Sequence, residues 1–231
     1  MMKFLADGIG IVLLGMVLGC ATEQSHPQSA SQMNSGFLRD YARLEESRDM
    51  QGMMVRTWAS PKFASDNYDA ILLDPVVFYP EPRPTEKVSA EVLQEILSYS
   101  NNVLNRLLST QFRMVDRAGP RVVRLRIAIT GVGAENRGLV AYQYLPVALV
   151  ATTIARPTLA GTPQAALVAI ESEATDSVTG QLLAEQARVG QGQEVKKDGG
   201  KEGVTLETVK PLLDELAAGA LPDLKRYIKA K

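Results

Sequence analysis

Cysteine and histidine are almost missing from this sequence of 231 residues, which has one of each, Cys20 and His26. Both precede the part of the chain whose hydrophobic patterning predicts a folded domain. A Ser-His-Asp triad, a Cys-His dyad and a histidine zinc site are therefore excluded from that domain, because each needs a side chain that it lacks. An internal disulfide is excluded for the same reason, since no second cysteine exists.

An excess of charge of either sign is also missing. The chain has 25 Lys and Arg against 26 Asp and Glu, which gives a formal net charge of -1 and a pI of about 6.0. A balance of this kind favours neither nucleic acid nor a strongly anionic surface as a partner. The sequence gives no indication of a bound cofactor or metal: Gly131-Val-Gly133 follows a predicted strand, but no third glycine or basic residue completes a phosphate loop.

A hydrophobic run long enough to cross a membrane is missing as well, although a shorter one lies near the start. Residues 9–19 form an apolar run of 11 residues after Lys3, whereas a spanning helix needs about 20. The run has the length of a signal-peptide core. Val17-Leu18-Gly19-Cys20 is similar to a bacterial lipobox, in which a small residue precedes the cleaved bond and the cysteine sulfur takes a diacylglycerol. The alternative is an uncleaved anchor or a buried apolar segment with a chance cysteine.

The segment after Cys20 has the composition of a tether. Residues 21–35 are polar and rich in Ser and Gln, and at about 3.3 Å per residue they would span on the order of 50 Å. We therefore expect a signal peptide over residues 1–19, a lipidated tether over 20–35 and a single periplasmic domain over 36–231. Membrane attachment would go through acyl chains on Cys20, and Ala21 favours the outer membrane, with the domain facing the periplasm.

Helical spacing is clearest over residues 89–111, where Ser89 is placed to cap the helix and apolar residues recur on one face. Residues 208–218 and 221–230 predict two C-terminal helical segments separated at Pro222. Residues 139–154 are apolar and remain ambiguous between a helix and a close-packed loop.

Strand patterns occupy most of the rest. The sequence predicts strands over residues 70–79, 112–115 and 121–132, and a hairpin formed by 165–174 and 181–190. Residues 43–49 read as a solvated turn or short helix, and residues 191–203 as a loop. The pattern predicts an α+β fold, a mostly antiparallel sheet with one long amphipathic helix and C-terminal helices packed on it.

Glu171, Glu173 and Asp176 are the strongest acidic cluster. Glu171 and Glu173 share one face of a predicted strand, so a pair of carboxylates could bind a cation or do acid-base chemistry. The alternative, which we favour, is that they face solvent and pair with Arg188 across the hairpin or with Arg124 and Arg126 on a neighbouring strand.

Three stretches together resemble a known family. They are residues 35–41 (SGFLRDY) with Leu44, then Tyr68 with residues 72–76 (LLDPV), and residues 171–180 (ESEATDSVTG). Their order and spacing are similar to the bacterial lipoprotein family catalogued as domain of unknown function 3313, over roughly residues 35–225. The resemblance implies an envelope lipoprotein and carries no catalytic residue with it.

The functional expectation is a non-enzymatic lipoprotein that binds or helps to assemble another envelope component. A rival class is an enzyme, or a binder of a small ligand or cation, that uses Glu171, Glu173 and Asp176. A third is a purely structural spacer.

Overall fold

The structure is a computed structural model that describes residues 34–49, 54–85, 88–136, 164–194, 197–198, 201–202 and 204–231. The predicted signal peptide, Cys20, most of the tether and the apolar segment 139–154 lie outside the described residues. The regular elements of the described part are β1 (Glu45–Arg48), β2 (Met54–Ala59), β3 (Ala70–Leu73), β4 (Val77–Phe78), α1 (Ala90–Gln111), β5 (Arg113–Met114), β6 (Val122–Asn136), β7 (Gln164–Asp176), β8 (Leu182–Glu194), β9 (Lys197–Asp198), β10 (Lys201–Glu202) and α2 (Leu206–Tyr227).

Eight of these strands form one mixed sheet in the order β1-β2-β8-β7-β6-β3-β5, and β4 pairs with β6 beyond the end of β3. The pairs from β1 to β6 are antiparallel, whereas β3, β4 and β5 join by parallel pairing. The α+β prediction is therefore confirmed, with a predominantly antiparallel sheet and both helices packed together.

Helix α1 confirms the expected capping and spacing. The Ser89 side chain accepts a hydrogen bond from the Val92 amide, which satisfies one donor that the first turn leaves without a partner. Its buried side chains recur at helical spacing and turn toward the sheet: Leu93, Ile96, Ser100, Val103 and Leu108.

The two predicted C-terminal helices are one helix, so the break expected at Pro222 was wrong. Proline removes one helical hydrogen bond, but packing on both sides holds the backbone helical. Leu212 and Leu216 are buried in the core before Pro222. After it, the ring of Tyr227 stacks on Phe63 with 4.6 Å between centroids.

Two strand predictions needed correction. Residues 70–79 are two strands, β3 and β4, because Pro75 between them has no amide to donate to a ladder. The charged stretch expected as a turn or helix is the edge strand β1, all of whose side chains are exposed. Charged side chains on an edge strand protect it against further strand pairing, so their polarity does not indicate a loop.

The hairpin prediction is confirmed and β8 is longer than expected. Its turn uses Asp176, whose carboxylate accepts hydrogen bonds from the Val178 and Thr179 amides, and Gly180 at φ +68°. Strand β8 continues to Glu194 into the segment predicted as a loop, and β9 and β10 pair within that segment.

The sheet has two differently covered faces. Both helices lie on one face, over a core that includes Ile71, Ile96, Phe112, Ile129 and Leu212. The N-terminal described segment crosses the other face, where Phe37, Leu38 and Leu44 are buried against Ala128. Among the described residues, no helix is both long and apolar enough to cross a membrane.

Candidate functional site

Three glutamates of the central hairpin are buried on the face of the sheet away from the helices. Glu171 and Glu173 belong to β7 and Glu185 to β8, and they are 4%, 1% and 0% exposed. Glu173 and Glu185 lie directly opposite each other in the strand register. Two carboxylates in this arrangement repel each other, so both need compensating partners.

The partners come mainly from residues 35–44, which we call the strap. The Ser35 hydroxyl donates to Glu171 Oε2 at 2.7 Å, and the Tyr41 hydroxyl donates to the same oxygen at 2.6 Å. Arg39 binds Glu173 through Nε at 2.7 Å and Nη2 at 3.3 Å. Phe37 packs against the same face of the sheet. The strap therefore places every second side chain, from Ser35 to Tyr41, against the sheet.

Strand β6 and the strap backbone complete the set. Arg126, opposite Glu173 in the ladder, donates to Glu173 Oε1 at 3.0 Å. The Arg39 amide donates to Glu185 Oε1 at 2.7 Å. Glu185 Oε2 lies 3.8 Å from Arg43 Nε, and it has no hydrogen-bond partner in the described part of the chain.

Aromatic rings close the edges of this cluster. The Arg126 guanidinium lies 4.9 Å from the centroid of Phe37, and Arg43 lies 4.7 Å from that of Trp58. Such contacts favour cations whose charge is partly desolvated. Trp58, which lies opposite Glu185 in the β2–β8 pair, is partly buried here.

Burial raises the pKa of the Glu171 carboxyl, and the hydrogen bonds from Tyr41 and Ser35 oppose the rise. Burial also raises the pKa of Tyr41, and the hydrogen bond to Glu171 adds to it. The raised pKa of Tyr41 keeps its hydroxyl protonated, which is the form that donates to Glu171.

The predicted acidic cluster is only partly one site. Glu171 and Glu173 lie on the same face, whereas Asp176 is committed to its turn. Hydrogen bonds from the turn lower its pKa, the Thr179 amide first. Its Oδ2 also accepts from the Tyr68 hydroxyl at 3.2 Å. Within the described residues, no group of three or more His, Cys, Asp or Glu side chains is placed to hold a metal ion.

The expectation that the cluster faces solvent was wrong for Glu171 and Glu173, because the strap covers them. The pairing with Arg126 is confirmed. Arg124 pairs instead with Asp74 at 2.8 Å. Arg188 lies on the helix side, 3.4 Å from Asp49 and 3.8 Å from Asp223.

Sequence reasoning missed Glu185 and the role of the strap. Alternation on β7 identifies the face that carries the glutamates, but not what covers it. One available signal was the resemblance itself, since its separate stretches meet in space. Arg39 and Tyr41 of the first bind glutamates of the third, and Tyr68 of the second binds Asp176 of the third.

Fold and site together define the class: an α+β domain whose N-terminal strap is fixed across the open face of its sheet by buried glutamates. The chain belongs to the family described as "Protein of unknown function (DUF3313)", whose model matches residues 33–220. This confirms the resemblance found in the sequence.

Two curated relatives are both called uncharacterized lipoprotein YdcL, one from Escherichia coli K12 and one from Escherichia coli O157:H7. Each is 32% identical over 202 residues, which is 87% of this chain and 88% of the relative.

Two solved structures are distantly similar. The hypothetical protein CT253 from Chlamydia trachomatis has a TM-score of 0.43 and 8% identity, over 70% of this chain and 98% of its own. The PelC dodecamer from Paraburkholderia phytofirmans has a TM-score of 0.34 and 11% identity, over 77% and 98%. At such low scores neither bears on the function of this chain.

Proposed function

We propose that this chain is a lipid-anchored lipoprotein of the bacterial envelope, attached through Cys20. Residues 1–19 are its signal peptide, residues 20–35 its lipidated tether and residues 36–231 its single periplasmic domain. The lipobox-like sequence at Cys20 supports this, and so does the word lipoprotein in the names of the relatives. The anchor lies in the inner leaflet of the outer membrane.

The observation that carries the proposal is the strap. The strap begins at Ser35, the last residue of the proposed tether, and the Ser35–Glu171 hydrogen bond fixes that end of the tether to the domain. The ion pair of Arg39 with buried Glu173 resists displacement, because releasing Arg39 would leave a desolvated carboxylate with only one of its two arginine partners. A tether joined in this way would leave the domain from the strap side of the sheet.

The role we propose is non-enzymatic, as a binding or assembly partner of another envelope component. The carboxylates that a rival enzyme or cation binder would use already bind Ser35, Arg39, Tyr41 and Arg126 of the same chain. A substrate would have to displace the strap to reach them. This disfavours the rival class.

Site-specific photocrosslinking in cells tests the partner. The exposed large apolar side chains of the described part are Val77, Tyr79 and Val178, and exposed apolar groups favour protein contacts. We expect a crosslinker at Val77 or Val178 to capture one envelope protein reproducibly. The same crosslinker at Gln94, exposed on α1, is the matched control. Failure to capture an envelope protein from either position, where deletion has a phenotype, would contradict the role.

A further inference from the structure

Three arginines surround a pocket on the face of the sheet that the strap crosses. Arg39 comes from the strap and Arg124 and Arg126 from β6, and we call their site the arginine pocket. Its volume is about 390 Å³. The wall also contains Glu173, Asp176, Gly180 and the hydroxyl residues Thr175 and Ser177.

Carboxylates of the sheet face and its edge hold the three guanidinium groups in place. Arg39 and Arg126 both bind Glu173, whose side chain is 0% exposed, while their own side chains are 51% and 39% exposed. Arg124 is 50% exposed and is held by Asp74. Because a carboxylate already fixes each guanidinium, ordering these side chains around a ligand costs little further entropy.

On this face a buried acidic side chain lies beneath partly exposed basic ones, an arrangement that the net charge of the chain does not reveal. Glu173 is the one acidic partner of two arginines, and it lies beneath them. Asp176 uses its oxygens on its own turn and on Tyr68. Arg39, Arg124 and Arg126 are the partly exposed side chains of this site, and guanidinium N–H groups bind phosphate oxygens with bidentate geometry.

The tether ends on the same face. Ser35 binds Glu171, which is two residues from Glu173 along β7 and so shares its side of the sheet. Cys20 lies only 15 positions before Ser35, a contour of at most roughly 50 Å. A lipid on Cys20 would thus keep Ser35, on the face that carries the arginine pocket, within about 50 Å of the membrane surface.

We propose that the arginine pocket binds the phosphate group of an anionic phospholipid in the membrane to which the chain is anchored. This rests on the proposed function for its membrane proximity, since the pocket alone defines only a site for an oxyanion. Binding would orient the strap face of the domain toward the bilayer. The contact would be electrostatic and salt-sensitive, with a screening length of about 8 Å at physiological ionic strength.

Vesicle co-sedimentation of the non-acylated chain from residue 21 onward tests this proposal separately from the lipid anchor. That chain retains every described residue. We expect binding to vesicles of phosphatidylcholine with phosphatidylglycerol, and none to phosphatidylcholine alone. A basic residue near an anionic surface changes affinity by about fivefold. Arg124→Gln should therefore weaken binding about fivefold, and Asp74→Asn, which leaves Arg124 without its carboxylate, should strengthen it by a similar factor.

Arg106→Gln is the matched control, because Arg106 is exposed on α1 on the other side of the sheet. It should leave vesicle binding unchanged. Equal binding to both vesicle types, or an equal loss in Arg124→Gln and Arg106→Gln, would overturn the proposal. Inorganic phosphate should displace the chain from vesicles more than chloride does at equal ionic strength, because it competes for the same guanidinium groups. Phosphate binding by a chain that does not bind phosphatidylglycerol vesicles would identify a free-oxyanion site and would also overturn the proposal. Because acylation is not involved, none of these outcomes depends on whether Cys20 carries lipid.

Discussion

Burying the negative charge of Glu171 costs free energy of desolvation, but its carboxylate oxygen accepts the hydrogen bonds from Ser35 and Tyr41. Burial raises its pKa above the ordinary value of 4.5, so the folded chain binds this proton more tightly than the unfolded chain. The stabilising contribution of the protonated form is complete below the unfolded pKa, and it is lost as pH rises through the folded pKa. At neutral pH, the two hydroxyl donors only partly offset the cost of the buried charge.

A neutral acceptor in its place should therefore be tolerated. We expect Glu171→Gln to unfold at pH 7 with a free energy equal to or above that of the wild type, because the amide oxygen accepts from Ser35 and Tyr41 without a charge. Its advantage should shrink as pH falls toward 4.5. Denaturant unfolding across this pH range measures both effects.

Glu171→Ala is the companion variant. It leaves two donor hydroxyls without their acceptor and should lose about 1–3 kcal/mol. If the Gln variant were as destabilised as the Ala variant at pH 7, the charge itself would be required and this account of Glu171 would be wrong.

The Tyr41 hydroxyl is one of the groups that bind the strap to the sheet, through its hydrogen bond to Glu171. We expect Tyr41→Phe to weaken strap docking by about 1.5–3 kcal/mol, the usual contribution of a hydrogen bond to a charged group. Hydrogen exchange at the Arg39 amide, which donates to Glu185 Oε1, measures this locally and should accelerate by about tenfold or more. Tyr79→Phe, which removes a hydroxyl without touching the glutamates, is the control. Equal acceleration in both variants would contradict the assignment.

At the scale of elements, α2 and β8 pack so closely that a glycine is required. A Cβ on Gly190 would clash with Leu212 Cδ1 and would lie 3.3 Å from Leu216 Cδ1. We expect Gly190→Ala to destabilise the fold by about 1–3 kcal/mol through overpacking. Thermal unfolding measures this.

Gly192 provides the matched control for that variant. A Cβ there meets Leu212 at 3.5 Å, an ordinary contact, so Gly192→Ala should stay within about 1 kcal/mol of the wild type. If both variants were equally stable, α2 would not lie where the structure places it.

The elements that sequence patterns predict well are those with a local cause. Ser89 caps α1, and the turn from Asp176 to Gly180 is specified by its own side chains. The helix break predicted at Pro222 was wrong because the packing of Tyr227 on Phe63, which is distant in sequence, outweighs the local cost of a proline in a helix. The strap site was unpredictable for the same reason, since what covers Glu171 lies 130 or more residues earlier in the chain.

At the scale of the whole molecule, the strap joins two parts that the sequence presents separately. One is the apolar run and Cys20, and the other is the α+β domain. Ser35, at the boundary between them, belongs to the tether by composition and to the domain by its hydrogen bond to Glu171. Release of the strap would leave the buried glutamates without most of their partners, so the domain and its attachment are energetically coupled.

The most direct test of this account is metabolic labelling of the full chain with palmitate in a host that processes lipoproteins. We expect labelling of the wild type, no labelling of Cys20→Ala, and loss of that variant from the outer-membrane fraction. Cys20 is the only thiol in the chain, so no other cysteine offers an alternative site. Palmitate labelling that persisted in Cys20→Ala, or a wild-type chain that took up none, would contradict the claim.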